Sequence, residues 1–257
     1  MNLVYYTVGF DPGYLDLLYL SIRSLRTHNA TDVMVICDEI LVDRCSEKLK
    51  EFKVRIVPCA DSTSAMNSSM KKLQIFNYDI SKYSKILFID SDILVDLRLD
   101  TIFDKVIGEK LYAAYEHKEL GFHAHEEFSL LNYTKPDFDF FMKHRIRPFN
   151  CGLFACLNTD AMKTHFSNIL DMVKNHTGQC HYEQSFMNVY FNKLNLTDTN
   201  VINEKNYLLN FELRSFSAVH LSWMTSQFKH KLIHFSLARG ANAKLKEMLW
   251  WNNKFLQ

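Results

Sequence analysis

The sequence predicts one α/β domain built on a central, mostly parallel sheet flanked by helices. Strand-like and helix-like segments alternate through the first half, as strand–helix–strand crossovers require. Ile86-Leu87-Phe88-Ile89 is apolar without interruption, the mark of a strand covered on both faces. No repeat, low-complexity tract or Pro/Gly/Ser linker interrupts the 257 residues. That length suits one large domain and buries a sizeable core without disulfides or a structural metal.

Each element follows from its pattern. Asn2–Val8 is apolar, β-branched and aromatic, a buried strand. The segment 15–28 carries apolar residues at 15, 18, 22 and 25, which is helical spacing. The short apolar run 32–37 predicts a second strand, 42–52 a helix and 54–58 a third strand. The polar run 61–69 holds Ser62, Thr63, Ser64, Asn67, Ser68 and Ser69 and reads as a surface loop inside the domain. The segment 71–83 predicts a helix with Leu73, Phe76 and Ile80 on one face, leading into the strand Lys85–Ile89. At the far end, 243–257 is basic, carries Trp250 and Trp251, and predicts a helix packed on the domain.

Composition excludes several functions. Hydrophobic residues make up 47% and charged residues 23%, which excludes disorder as the main state. A formal charge of +1 argues against a nucleic-acid binder, whose affinity rests on neutralising phosphates. Only 7 glycines occur, and neither GxGxxG nor GxxxxGK[ST] is present, so a glycine-cradled dinucleotide or NTP site is not expected. No apolar run approaches the roughly 18–20 residues of a membrane span. The N-terminus lacks a basic region and a cleavage site, so the expectation is a cytoplasmic protein with no integral membrane segment. Cys37, Cys45, Cys59, Cys151, Cys156 and Cys180 form no CxxC and read as reduced thiols. The sequons at Asn132 and Asn175 read as chance.

The chemistry begins where the apolar strand ends, at Asp90-Ser91-Asp92. Ligands of α/β sheets sit at the carboxyl ends of the strands. Two acids at such a mouth are poorly explained by folding, because burying unpaired charge is costly. A divalent cation held by hard oxygens supplies the compensation. Two enzyme classes use this local pattern. In Mg²⁺-dependent haloacid-dehalogenase-like phosphatases the first Asp is a nucleophile. In nucleotide-sugar glycosyltransferases the DxD holds the metal that grips the diphosphate. The phosphatase pattern fits badly: Leu94 stands where Thr or Val belongs, a long α/β segment precedes the motif, and no later GDxxxD appears.

The surrounding residues carry a resemblance. Lys72-Leu73, then Tyr83-Ser84-Lys85-Ile86-Leu87-Phe88-Ile89-Asp90-Ser91-Asp92-Ile93-Leu94-Val95, then Leu99-Asp100-Thr101-Ile102-Phe103 resemble glycosyltransferase family 8. Three further blocks follow in the family's order. Phe149-Asn150-Cys151-Gly152-Leu153-Phe154 is similar to F-N-S-G-V, with Cys for Ser. Glu183-Gln184 followed by Asn188 is similar to D-Q-x-x-h-N, with Glu for Asp. Ile233-His234-Phe235 is similar to the h-H-F/Y-x-G-x-x-K-P-W block. The resemblance runs from about residue 3 to 244.

It implies a single GT-A-like domain. Residues 1–105 would be a nucleotide-binding half, 106–242 an acceptor and sugar half, and 243–257 the C-terminal helix. It also implies a retaining transferase that moves a hexose-type sugar from a UDP-sugar to a hydroxyl acceptor. Asp90, Asp92 and His234 would hold Mn²⁺ or Mg²⁺. Lys72 would reach the donor, Asn150 and Gly152 would meet the sugar hydroxyls, and Ser91 would lie in the site. Thr7, Phe10 and Tyr14, after the first strand, would receive the uracil and ribose. An amide is a poor nucleophile, so front-face attack with Gln184 stabilising the transition state fits better than double displacement through Glu183 or Gln184. The family's lysine after the histidine falls on Gly240, so Arg239 or Lys244, with Lys244 favoured, would meet the terminal phosphate. A non-catalytic glycan- or partner-binding domain of the same fold is the other alternative. His123-Ala124-His125-Glu126-Glu127 looks metal-binding but lacks HExxH, since residue 129 is Ser; it reads as an acceptor-side loop.

Overall fold

The computed structural model describes residues 1–115, 139–140, 143–144, 146, 148–175, 183–209, 230–236 and 240–255. The elements in order are β1 (Asn2–Val8), α1 (Tyr14–His28), β2 (Asp32–Asp38), α2 (Val42–Leu49), β3 (Arg55–Cys59), α3 (Ala65–Ser69), β4 (Lys85–Ile89), β5 (Ile93–Val95), α4 (Asp100–Phe103), β6 (Leu111–Tyr115), β7 (Phe149–Leu157), α5 (Asp160–Lys174), α6 (Glu183–Lys193), β8 (Thr197–Asp198), β9 (Tyr207–Leu209), β10 (Leu232–His234) and α7 (Ala241–Phe255). A seven-stranded sheet has the order β3-β2-β1-β4-β7-β6-β8, and a three-stranded sheet has the order β5-β10-β9. From β3 to β4 the pairing is parallel; β7 runs antiparallel to β4.

The alternating side chains of the strands serve two cores. Val4, Tyr6 and Val8 join α1 and α2 on one face. Leu3 and Tyr5 join Met162, Phe166, Met187 and Phe191 of α5 and α6 on the other. This double cover explains the unbroken apolar run in β4. A third core packs Leu17 and Leu20 of α1 against Leu94 and Ile233 of the small sheet, Phe235 just after it, and Met248 and Trp251 of α7. The C-terminal helix is therefore docked, with Trp251 buried and Trp250 exposed. No helix among the described residues is long and apolar enough to cross a membrane.

Two sequence expectations need correction. The helix expected over 42–52 tightens to 3₁₀ winding after Leu49. The helix expected over 71–83 starts earlier and stops sooner: α3 lies within the stretch read as a loop, and 3₁₀ winding carries it through Met70–Asn77. It stops because Asp79 turns back on itself. The Asp79 carboxylate accepts from Ser81 N at 3.2 Å and Ser81 Oγ at 2.8 Å, a local bond that competes with helix. Cys37, Cys45, Cys59, Cys151 and Cys156 are free; Cys180 and the cluster 123–127 lie outside the described residues.

Candidate active site

Strand pairing, rather than nearness in sequence, assembles the site. Asp90 follows β4 directly, and its N–H donates to Gly152 O at 2.7 Å. The antiparallel register sets Ile89 opposite Leu153, so Asn150 and Gly152 of β7 lie beside Asp90. The chain then turns, with Ile93 N donating to Asp90 O at 3.1 Å, and leaves the main sheet as β5. There Ile93 pairs with His234, and Phe235 N donates to Asp92 O at 3.0 Å. His234 is thereby fixed next to Asp92. Helix α1 holds β5 in place: Ser21 Oγ donates to Ile93 O at 2.5 Å, and Val95 N donates to Ser24 Oγ at 2.8 Å.

Asp90, Asp92 and His234 each offer a ligand atom, and these atoms lie within 4.8 Å of one another. His234 Nε2 is 3.3 Å from Asp92 Oδ1. On its other side Nδ1 lies 2.6 Å from the Tyr207 hydroxyl. A proton on Nδ1 donated to that oxygen leaves Nε2 unprotonated and aimed at the carboxylates, the tautomer a ligand needs. A methyl group at Gly152 would lie 2.6 Å from His234 Cε1 and 2.7 Å from Asp90 Oδ2. Only glycine keeps that space open.

Two ammonium groups enter the same cluster. Lys72 Nζ is 2.6 Å from Glu183 Oε1, 3.5 Å from Asp90 Oδ1 and 3.1 Å from Cys151 O. Lys244 Nζ, from the first turn of α7, is 2.5 Å from Asp92 Oδ2. Burial pushes the Asp90 carboxyl up, and the neighbouring Asp92 and Glu183 charges add to this while Lys72 and His234 oppose it. Burial alone would raise Asp92 too, but Lys244 and His234 hold it well below the usual carboxylate range. Desolvation works against the charge on Lys72 and Lys244, yet their carboxylate partners raise both amines. Among the described residues, three carboxylates thus face two ammonium groups. The donor set of two carboxylates and an imidazole fits a divalent cation.

The cluster opens into a cavity of about 650 Å³, within the range of small-ligand sites. Thr7, Phe10, Tyr14, Lys72, Asp90, Ser91, Asp92, Asn150, Gly152, Glu183, Gln184, His234 and Lys244 all line it. Arg239 lies outside the described residues. Gln184 Oε1 accepts from Cys151 N at 2.9 Å. Asn188 bonds both backbone groups of Phe149, at 2.8 and 2.9 Å, which locks α6 and its Glu183-Gln184 onto β7. Sequence reasoning missed Tyr207, whose place beside His234 depends on the β9–β10 pairing and leaves no local signal.

No family model and no curated protein matches the chain. Solved structures do. The galactosyltransferase LgtC, in complex with donor and acceptor sugar analogues, matches 100% of this chain and 97% of its own at 13% identity and a TM-score of 0.64. The glycosyltransferase GlyE of Streptococcus pneumoniae TIGR4 matches 97% of this chain and 61% of its own at 15% identity and a TM-score of 0.59. Mouse xyloside xylosyltransferase 1 matches 92% of this chain and 97% of its own at 12% identity and a TM-score of 0.55. Identities this low speak for the fold. The chain shares, essentially from end to end, the GT-A-like α/β fold of these glycosyltransferases.

Proposed function

We propose that the chain is a retaining, metal-dependent transferase of glycosyltransferase family 8, moving a hexose-type sugar from a UDP-sugar to a hydroxyl acceptor. The observation that carries this reading is the convergence of Asp90, Asp92 and His234 with two lysines in one cavity at the carboxyl end of the sheet. Asp90, Asp92 and His234 would hold Mn²⁺, which imidazole suits better than Mg²⁺; when bound it neutralises charge on the departing diphosphate. No nucleic acid and no membrane span enters the reading.

The remaining roles follow from the chain's own groups. Lys244 occupies Asp92, and it is flexible enough to exchange that carboxylate for a phosphate oxygen. Lys72 bridges Glu183 and half-buried Asp90 and would hold both carboxylates in place beneath the sugar. Gln184 has its oxygen held by the Cys151 N–H, which suits a fixed dipole under the reacting carbon more than a nucleophile. The leaving phosphate oxygen then takes the proton of the attacking hydroxyl on the same face. Thr7, Ser91, Asn150 and Gly152 shape the floor of the site. Residues 1–105 supply Asp90 and Asp92, but Glu183, His234 and Lys244 come from beyond them. The nucleotide-binding half is therefore complete only when the C-terminal segments are folded onto it.

Thermal-shift measurements with UDP, GDP and Mn²⁺ test the reading. A shift with UDP that requires Mn²⁺ is expected. A shift with neither would leave a binding domain of this fold. Turnover of a phosphate monoester, without UDP binding, would return Asp90 to the phosphatase chemistry. Hydrolysis of UDP-glucose, UDP-galactose, UDP-xylose and UDP-N-acetylglucosamine identifies the sugar.

A further inference from the structure

Asp38 ends β2, two strands away from Asp90 in the order β2-β1-β4, or about 10 Å by strand spacing. It is 1% exposed and takes no part in the cluster around His234. Its carboxylate is nevertheless fully engaged. Phe10 N and Ser62 N donate to Oδ2 at 2.8 and 3.1 Å, Ser62 Oγ donates to Oδ1 at 3.1 Å, and Lys71 Nζ forms an ion pair with Oδ1. Phe10 belongs to the loop after β1, and Ser62 to the loop after β3. A single buried carboxylate therefore ties together loops from strands on either side of its own.

Both loops reach the cavity. Gly9, Phe10 and Asp11 line it from one, and Ala65, Ser68 and Ser69, just after Ser62, line it from the other. The tie leaves its mark on the backbone. Phe10 adopts φ 65°, a left-handed conformation that a bulky residue rarely takes, and its N–H is held by Asp38. A methyl group at Gly9 would lie 2.4 Å from Asp38 Oδ1 and 2.6 Å from its Cγ, so the loop crosses directly over the carboxylate. Phe10 is left 53% exposed where it lines the cavity. An aromatic ring pinned through its own backbone and left uncovered by the fold is a platform for stacking.

We propose that Asp38 is a positioning residue for the nucleobase end of the donor. Through Phe10 and Ser62 it sets the width of the base subsite and the attitude of its aromatic wall. The inference rests on the nucleotide-sugar reading above, and its test separates the two.

Asp38→Asn keeps the shape but weakens two of the accepted bonds. Asp38→Asn/Lys71→Met removes both buried charges together, and Ser62→Ala removes one donor from a half-exposed position, so at least one variant folds. Binding of UDP with Mn²⁺, of uridine alone, of inorganic pyrophosphate with Mn²⁺, and of Mn²⁺ alone is measured on each. UDP and uridine should weaken together, about tenfold in the Asp38 variants, the scale of a hydrogen bond to a charged group, and less in Ser62→Ala. Pyrophosphate and Mn²⁺ affinities should stay unchanged, and the KM for the sugar donor should rise while kcat at saturation holds. Unchanged uridine affinity in the folded variants, or equal losses for UDP and pyrophosphate, would overturn the inference alone. A wild-type chain that binds neither UDP nor uridine would overturn it together with the transferase reading.

Discussion

Two flanks of the cavity use a carboxylate at the end of a strand in opposite ways. On the β4–β7 flank, Asp90, Asp92 and Glu183 meet Lys72, Lys244 and His234, and these groups line the cavity. On the β1–β2 flank, Asp38 lies beneath the wall, and Gly9, Phe10, Asp11, Ala65, Ser68 and Ser69 line the space above it, with no ammonium group among them. The neighbouring lysines divide between the two: Lys71 turns to Asp38 and Lys72 to Asp90 and Glu183. What separates the flanks is whether the chain itself satisfies the oxygens. Asp38 receives three hydrogen bonds and an ammonium group. Asp90 has Lys72 at 3.5 Å and an open side toward the cavity. A satisfied carboxylate shapes loops, whereas an unsatisfied one is available to a ligand.

The largest effect should break the charged flank without breaking the fold. Asp90→Asn or Asp92→Asn should abolish Mn²⁺-dependent UDP binding, exceeding the roughly 10–100-fold that loss of an outer-shell partner costs. Stability should change little. Asn at position 90 relieves repulsion between two acids, and Lys244 sits on the first turn of α7 with a short path to water. Calorimetric titration beside a melting curve checks both, and unchanged UDP–Mn²⁺ affinity in either variant would falsify the metal assignment. Lys72→Met should do the reverse. It strands Glu183 and Asp90 without their cation, and breaking a buried pair costs about 3–5 kcal/mol. Urea unfolding should show that loss, with partial recovery in Lys72→Met/Glu183→Gln.

This contrast also explains what the sequence could disclose. Asp90 and Asp92 are legible because charge abruptly interrupts an apolar strand. The same rule applies to Asp38, which ends its strand one residue beyond the apolar run 32–37. His234 stood out only through the family resemblance. The strand that carries it is three residues long, too short to show a period. Helix α6 buries Ser185, Met187, Asn188, Val189 and Phe191, so no single apolar stripe announces it. The central sheet and α1 are legible because β1 and β4 run almost continuously apolar and the 3.6 period of α1 persists over fifteen residues.

Lys244 sharpens the comparison further, because on the proposed reading it exchanges Asp92 for a phosphate oxygen. Lys244→Ala should cut turnover about 10²-fold, the scale of losing one preorganised charge contact in the transition state. In the absence of nucleotide the same variant should bind Mn²⁺ more tightly than wild type, since Asp92 no longer holds an ammonium group. Electron paramagnetic resonance of free Mn²⁺ reads this directly. Weaker Mn²⁺ binding in the variant would mean that Lys244 organises the site instead of competing for it.

The smallest effect concerns Tyr207, which touches the charged flank only through His234. Its hydroxyl, 2.6 Å from Nδ1, accepts that nitrogen's proton in the tautomer that frees Nε2 for a metal. Tyr207→Phe keeps the ring in its place in the core and removes only that oxygen. The imidazole then loses its reason to hold the proton on Nδ1, and part of the population presents a protonated, non-ligating Nε2. Mn²⁺ affinity should fall about tenfold, at the low end of the range for an outer-shell partner, while uridine binding on the opposite flank stays as in wild type. If Mn²⁺ affinity holds and the melting temperature drops instead, Tyr207 is a core residue whose hydroxyl merely satisfies a buried nitrogen. The position of His234 would then rest on the β5–β10 pairing alone.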